Sequence, residues 1–398
     1  LNANLPASSV RSARLIGLLT AGGFFSFFVF GFVDNLKGPT LPSVLRDMEF
    51  GYSQGGTILF GAYLGFVIAT LLTGPLSDWM GNRTVLMVAA VLIFTGVIGF
   101  STMESFALLF GAMMVIGLGM GAIEVGGNAL IVDIHREQQG RYLNLLATFH
   151  GVGSLLVPLY AAGLLGMGIS WRQAFQWTLP LVGALFLLFL LLPSPAKTIQ
   201  SSSNSGFDWH ALRTRGFTGP MIGFYIAIAL YVSTELGIGA WLVEFLIQVK
   251  GMELTMASFF LSGFFGMLML GRIVGSFVVE RIGYLRSILL AASGGLICLL
   301  IGVFGPPSLA FFVPLTGIFL SIIFPTITAA VSGLHTQNTG TMLGLLFAAG
   351  GLGGALGPWA IGVAGDAFGI ELGFALTAIF CISLIVTLVI LMRRMRGA

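Results

Sequence analysis

Apolar runs of roughly 20 residues, the length that crosses a hydrocarbon core as a helix, recur along this chain. They start near Leu15, Gly55, Val85, Ser105, Leu143, Ala174, Gly219, Thr255, Ser287, Ser308, Thr341 and Leu372. Only helices and closed barrels satisfy their backbone in lipid, and runs this long and this apolar read as helices. Charged residues make up 8% of the 398, against about 25% in soluble domains. The chain therefore reads as an all-α membrane protein with about twelve transmembrane helices. A net charge of +3 makes no case for nucleic acid. Cys298 and Cys381 lie inside apolar runs, so neither a disulfide framework nor a metal site is expected. The opening LNANLPASSV is not expected to be a signal peptide. The apolar run after it is too long for an h-region and has no cleavage-type ending.

The longest polar gap, PSPAKTIQSSSNSGFDWHALRTR from Pro193 to Arg215, is Ser-rich and divides the spans six and six. This predicts an N-terminal bundle over 1–193, a linker over 194–217 and a C-terminal bundle over 218–398. With the N-terminus inside, thirteen Lys and Arg fall on the inner side: Arg11, Arg14, Arg83, Arg136, Arg141, Lys197, Arg213, Arg215, Arg281, Arg286, Arg393, Arg394 and Arg396. Three fall outside, namely Arg46, Arg172 and Lys250. The positive-inside rule thus places both termini and the linker in the cytoplasm.

A spacing recurs between helices. GPLSDWMGNR carries Gly74, Asp78, Gly81 and Arg83; Ser276, Glu280 and Gly283 repeat the small–acid–Gly pattern with Arg286 beyond; Gly362, Asp366 and Gly369 repeat it again. The small residue lets helices approach, the acid caps or pairs near a helix end, and the last Gly turns the chain. Matching positions in two six-helix halves imply an internal repeat. GPLSDWMGNR resembles the loop signature of the major facilitator superfamily. That resemblance implies two six-helix bundles with inverted repeats that alternate between inward-open and outward-open states. It also implies a conformational latch built from Gly74, Asp78, Gly81, Arg83, Glu280 and Arg286.

FGFVDNLKGPTLP in span one, GLGMGAIEVGGNAL in span four, RYLNLLATFHGVGSLLVP in span five and YVSTELGIGAWL in span seven together resemble the fucose–galactose–glucose:proton symporter family. The family's span-four acid and amide fall on Glu124 and Asn128. Its span-five Leu-Asn-Leu falls on Leu143, Asn144 and Leu145, and its span-seven pattern on Tyr231, Glu235, Ile238 and Trp241. Its span-one carboxylate position falls on Gly38, and Asp34 lies one turn earlier.

The residues make a parallel case. Glu124 and Asn128 are spaced i, i+4 and share a helix face, which Gly117, Gly121 and Gly127 are expected to leave open. An acid there costs about 2.5–3.5 kcal/mol at a span centre unless it faces a wet cavity, where it can carry a proton. The alternative is a structural pair with Lys37 or Arg272. Asp34 is a second proton-coupling candidate, with a local pair to Lys37 as its alternative. Asn35, Asn128 and Asn144 are candidate sugar-hydroxyl ligands. Glu235 is placed for substrate contact or a structural pair, and Trp241 for stacking on a sugar ring. His150, Phe324 and Trp359 read as packing residues. Gly350 to Pro358 is a packing segment without the Lys of a phosphate loop.

The resulting expectation is a secondary transporter in a bacterial inner membrane, not an enzyme. It is expected to act as a monomer, without a cofactor, importing a monosaccharide or similar polyol with protons. A proton-driven exporter of amphiphiles and a sodium-coupled importer are the alternatives. An intramembrane hydrolase or a sensor lacks the motifs or the output domain.

Overall fold

Proline sets where the helices break. A proline ring clashes with the carbonyl four residues earlier and has no N–H to donate. In the computed structural model, which describes residues 7–192, 216–334 and 339–396, three spans are interrupted. Each break sits four residues before a proline: Asn35 before Pro39, Gln176 before Pro180 and Ser321 before Pro325. Pro42, Pro75, Pro158 and Pro358 are instead absorbed within continuous helices.

Among the described residues, twelve spans are long and apolar enough to cross a bilayer. Spans one to six are Leu15–Asp47, Tyr52–Met80, Asn82–Thr102, Phe106–Ile134, Gln139–Gly166 and Trp171–Leu191. Spans seven to twelve are Gly219–Gln248, Leu254–Gly275, Tyr284–Phe304, Pro307–Leu334, Met342–Phe368 and Ile370–Met395. Among the described residues there is no strand. Apart from residues 216 and 217, the expected linker lies outside the described residues.

The chain gathers into two compact units that cut across the six-and-six division. One comprises 1–34, 65–157 and 172–200, and the other 35–64, 158–171 and 201–398. The division falls at the break in span one and at Pro158 in span five. In the first unit, spans three and four pack against each other, and span three against span six. In the second, span seven is central. It packs on spans eight, eleven and twelve and on the 37–47 helix of span one. Tyr231, Trp241, Phe224 and Phe245 of span seven are fully buried.

Lipid offers little hydrophobic drive for helix association, so close packing through small residues does that work. In the first unit, spans one and five meet at a glycine pair. A Cβ on Gly31 would lie 2.1 Å from His150 O, and one on Gly153 would lie 2.4 Å from Phe28 O. Gly183 has nothing within 4 Å of such a Cβ. Gly153→Ala should therefore destabilise the protein by about 1–3 kcal/mol through overpacking, whereas Gly183→Ala should be neutral or slightly stabilising. Thermal unfolding of the purified variants in detergent checks the contrast.

Candidate functional site

In the first unit, Glu124 lies near the middle of span four, partly exposed. Its carboxyl Oε1 accepts a hydrogen bond from Asn128 Nδ2 at 3.2 Å, and the same nitrogen donates to the Glu124 carbonyl at 2.7 Å. Asn128 therefore turns its amide back along the helix and holds the acid. The glycines beside them do not leave the expected room. A Cβ on Gly121 would lie 2.5 Å from Phe66 O, and one on Gly127 would lie 2.6 Å from the Phe27 ring. They seat spans two and one against span four.

Span five adds an exposed polar edge. Asn144 and Thr148 are both exposed, and Thr148 Oγ1 donates to the Asn144 carbonyl at 2.8 Å. That hydroxyl is drawn to its own helix, while the Asn144 side chain projects outward. Phe149 stacks on Phe24, with centroids 4.9 Å apart. His150 meets Phe30 edge-on at 4.7 Å, as a packing residue would. Asp34, in the first unit, is buried in the last turn before the break in span one.

Asn35 and Lys37 follow it in the second unit. Asn35 is half-buried at the end of its helix. Lys37 Nζ lies 4.4 Å from the centre of the Tyr63 ring. Gly38 marks a close approach of two spans. A Cβ there would lie 2.2 Å from Gly239 O of span seven, so any side chain would force these spans apart.

The second unit holds its own polar group. Tyr231 and Glu235 stand one turn apart on span seven, and Arg272 of span eight supplies the opposite charge beside them. Phe324 tilts against Tyr231 at 6.3 Å and stacks on Phe347 at 5.6 Å. This aromatic wall was not expected from sequence, because 35 Phe make any one of them uninformative. Trp241, by contrast, is fully buried. Its Nε1 donates to Pro358 O at 2.9 Å, and its ring meets Tyr52 edge-on. In this structure it packs between spans two and eleven.

The signature residues divide. Arg83 Nε donates to Phe189 O at 2.7 Å and Nη2 to Leu190 O at 3.0 Å. It thereby covers the last carbonyls of span six, a favourable place for a cation. Asn82 Nδ2 donates to Asp133 Oδ2 at 2.8 Å, a contact that sequence spacing did not indicate. Asp78 is exposed, and its charge acts against Asp133. The three closing glycines share one backbone conformation, with φ of 83° at Gly81, 89° at Gly283 and 88° at Gly369. Gly74 has nothing within 4 Å of a Cβ position, so the expected close approach does not occur there. Arg286 lines a cavity of about 540 Å³ with Tyr284 and Leu334. The Glu280 side chain lies outside the described residues.

Residues 23–314 match the model of the Major Facilitator Superfamily. The chain belongs to that superfamily. It is 27% identical over 377 residues to a glucose/galactose transporter of Brucella abortus, covering 89% of each chain. It is also 27% identical over 388 residues to a gentisate transporter of Corynebacterium glutamicum, covering 91% of this chain and 84% of that one. The crystal structure of a fucose:proton symporter of E. coli shares its fold, with a TM-score of 0.63 at 19% identity, covering 94% of this chain and 98% of that one. The chain is therefore a multi-pass membrane transporter with the major facilitator fold, and not an enzyme.

The geometry separates two roles within one motif. Arg83→Ala should lower thermal stability, losing two charge-assisted hydrogen bonds that together contribute about 1–3 kcal/mol. Asp78→Asn should leave stability unchanged or slightly raised, because it removes a repulsion. Unfolding midpoints of both variants in the same detergent check this.

Proposed function

We propose that this protein imports a monosaccharide or similar polyol together with protons, by alternating access between halves 1–193 and 218–398 about a linker at 194–217. Both termini face the cytoplasm of a bacterial cell, and the protein works as a monomer. Glu124 carries the proton, with Asp34 the second candidate. Asn35 and Asn144 contact sugar hydroxyls, Asn128 orients the acid, and Asp78 and Arg83 belong to an inner latch. The observation that carries the reading is the Glu124 carboxyl held by Asn128 in mid-span. The names of the Brucella and E. coli relatives support the substrate class and the coupling.

The mechanism follows from charge. Protonated Glu124 is neutral, so a loaded carrier reorients without moving an unpaired charge through low dielectric. Ionised and without substrate, it holds the carrier back. The proton enters from outside, travels on the carboxyl and leaves inside.

A second reading has a specific observation behind it. Arg272 acts on Tyr231, against whose ring Phe324 tilts with Phe347 stacked on it, and this joining of a cation to aromatic rings suits an aromatic acid such as that named for the Corynebacterium relative. Uptake into proteoliposomes of a sugar panel and of gentisate, each under a pH or a sodium gradient, separates these readings. Uptake of gentisate and of no sugar would overturn the first.

Glu124→Gln mimics the protonated form permanently. It should abolish accumulation driven by a pH gradient while sugar exchange down its own gradient persists. Both modes are measured in liposomes beside substrate-induced proton uptake. If the variant still concentrates sugar with proton uptake, the carrier is another acid.

Asn144→Leu should weaken sugar binding about two- to twelve-fold, the equivalent of one hydrogen bond of about 0.5–1.5 kcal/mol. A titration with purified protein reads it. Wild-type affinity in a folded variant would remove Asn144 from the ligand set.

A further inference from the structure

The third copy of the small–acid–Gly spacing closes on the face that is outer in the orientation proposed above, and each of its residues is used. Gly362 lets span eleven touch span two; a Cβ there would lie 2.3 Å from Tyr52 O and 3.1 Å from Gly56 Cα. The Asp366 carboxylate accepts the Tyr52 N–H at 2.7 Å and the Ser53 N–H at 2.8 Å. It caps the first turn of span two from more than 300 residues away. Gly369 then turns the chain at φ 88°. Gly51 keeps the approach open, since a Cβ there would lie 2.9 Å from Asp366 Oδ2.

A second acid completes the cluster. Glu244 of span seven is 3% exposed, and the side chains of Tyr52 and Gln248 hydrogen-bond to it. Its Oε2 has no hydrogen-bond partner. Arg46 adds its charge nearby. Arg46, Tyr52, Glu244, Gln248 and Asp366 line a cavity of about 290 Å³. All these residues lie in the second unit, yet 35–64 come from the N-terminal spans and the rest from the C-terminal ones.

We propose that Asp366, clasping the amides of Tyr52 and Ser53 beside Glu244, is an outer latch that must open once in every transport cycle. The inference rests on alternating access but not on the identity of the substrate. The bonds suit a latch, because Asp366 is exposed and water can replace it on the span-two amides when the clasp opens. Glu244 and Glu235 share span seven nine residues apart, about 13 Å along a helix. One rigid helix therefore joins the latch to the Arg272 group. Asp366 is a positioning residue that acts through the span-two amides.

The test uses the full chain in right-side-out vesicles, with Cys298 and Cys381 replaced by Ser and Leu41→Cys as reporter. Leu41 is buried, at 5% exposure, in the 37–47 helix. A membrane-impermeant maleimide added outside reads opening in the absence of substrate. Asp366→Ala should raise the labelling rate at least five-fold. Asp366→Asn, which keeps one acceptor, should fall between Ala and the parent. Gly51→Ala should act in the same direction and carries the test, with Asp366→Asn, if Asp366→Ala does not fold. Parent-like labelling in the folded variants overturns the latch, even where sugar uptake is intact. A failure of every sugar to be transported would sink the substrate reading and leave the labelling result standing.

Discussion

A polar group in hydrocarbon has no water to bond, and every feature of this molecule answers to that constraint. Helices satisfy their own backbones, so the twelve spans follow directly. The remaining problem is the few side chains and helix ends that a helix cannot satisfy. Glu124 is the clearest case. Its carboxyl is held by an amide one turn away on the same span, so the pair needs no cation and places no second charge in the membrane. An acid held in this way is free to change protonation state without stranding a partner, which an ion-paired acid is not.

The same constraint explains the glycines. With no hydrophobic drive between helices in lipid, contact depends on backbones approaching closely. Gly31 and Gly153 do this between spans one and five, Gly121 between spans two and four, and Gly38 between spans one and seven. Gly38 shows how packing limits chemistry. At Gly38 this chain brings span one onto the Gly239 carbonyl, and no side chain fits. The acid of span one stands a turn away, at a helix break made by Pro39.

The sequence made the spans legible because twelve long apolar runs have no other solution. The turns of the repeated signature were legible too, because a Gly at positive φ is a local requirement that leaves a local mark. The breaks in spans one, six and ten were missed, although Pro39, Pro180 and Pro325 stood in plain view; Pro158 and Pro358 show why, since proline does not always break a span. Within the candidate site, Glu124 with Asn128 was readable from the i, i+4 spacing. The direction of the Asn128 amide was not, because spacing fixes a face and not a rotamer. The burial of Trp241 was not readable, because its indole N–H finds the Pro358 carbonyl 117 residues away. The stack of Phe324 on Phe347 was not readable either, as it is a tertiary event among many equivalent rings.

The repeated signature has a common physical content that its spacing alone does not express. A helix end offers unpaired amides at its N-terminus and unpaired carbonyls at its C-terminus, with a dipole to match. Arg83 places a cation on the closing carbonyls of span six. Asp366 places an anion on the opening amides of span two. Lys250 does as Arg83 does, with Nζ donating to the Val303 and Gly305 carbonyls at 2.7 Å each, at the end of span nine. In each case the charge comes from outside the helix whose end it meets and has the sign that the end requires. Caps of this kind hold spans to one another through their ends, where water can replace them, and not through their middles, where nothing can. A transporter whose contacts must break and re-form gains from having its charged bonds there. Glu124, in mid-span, is held instead by an amide of its own helix.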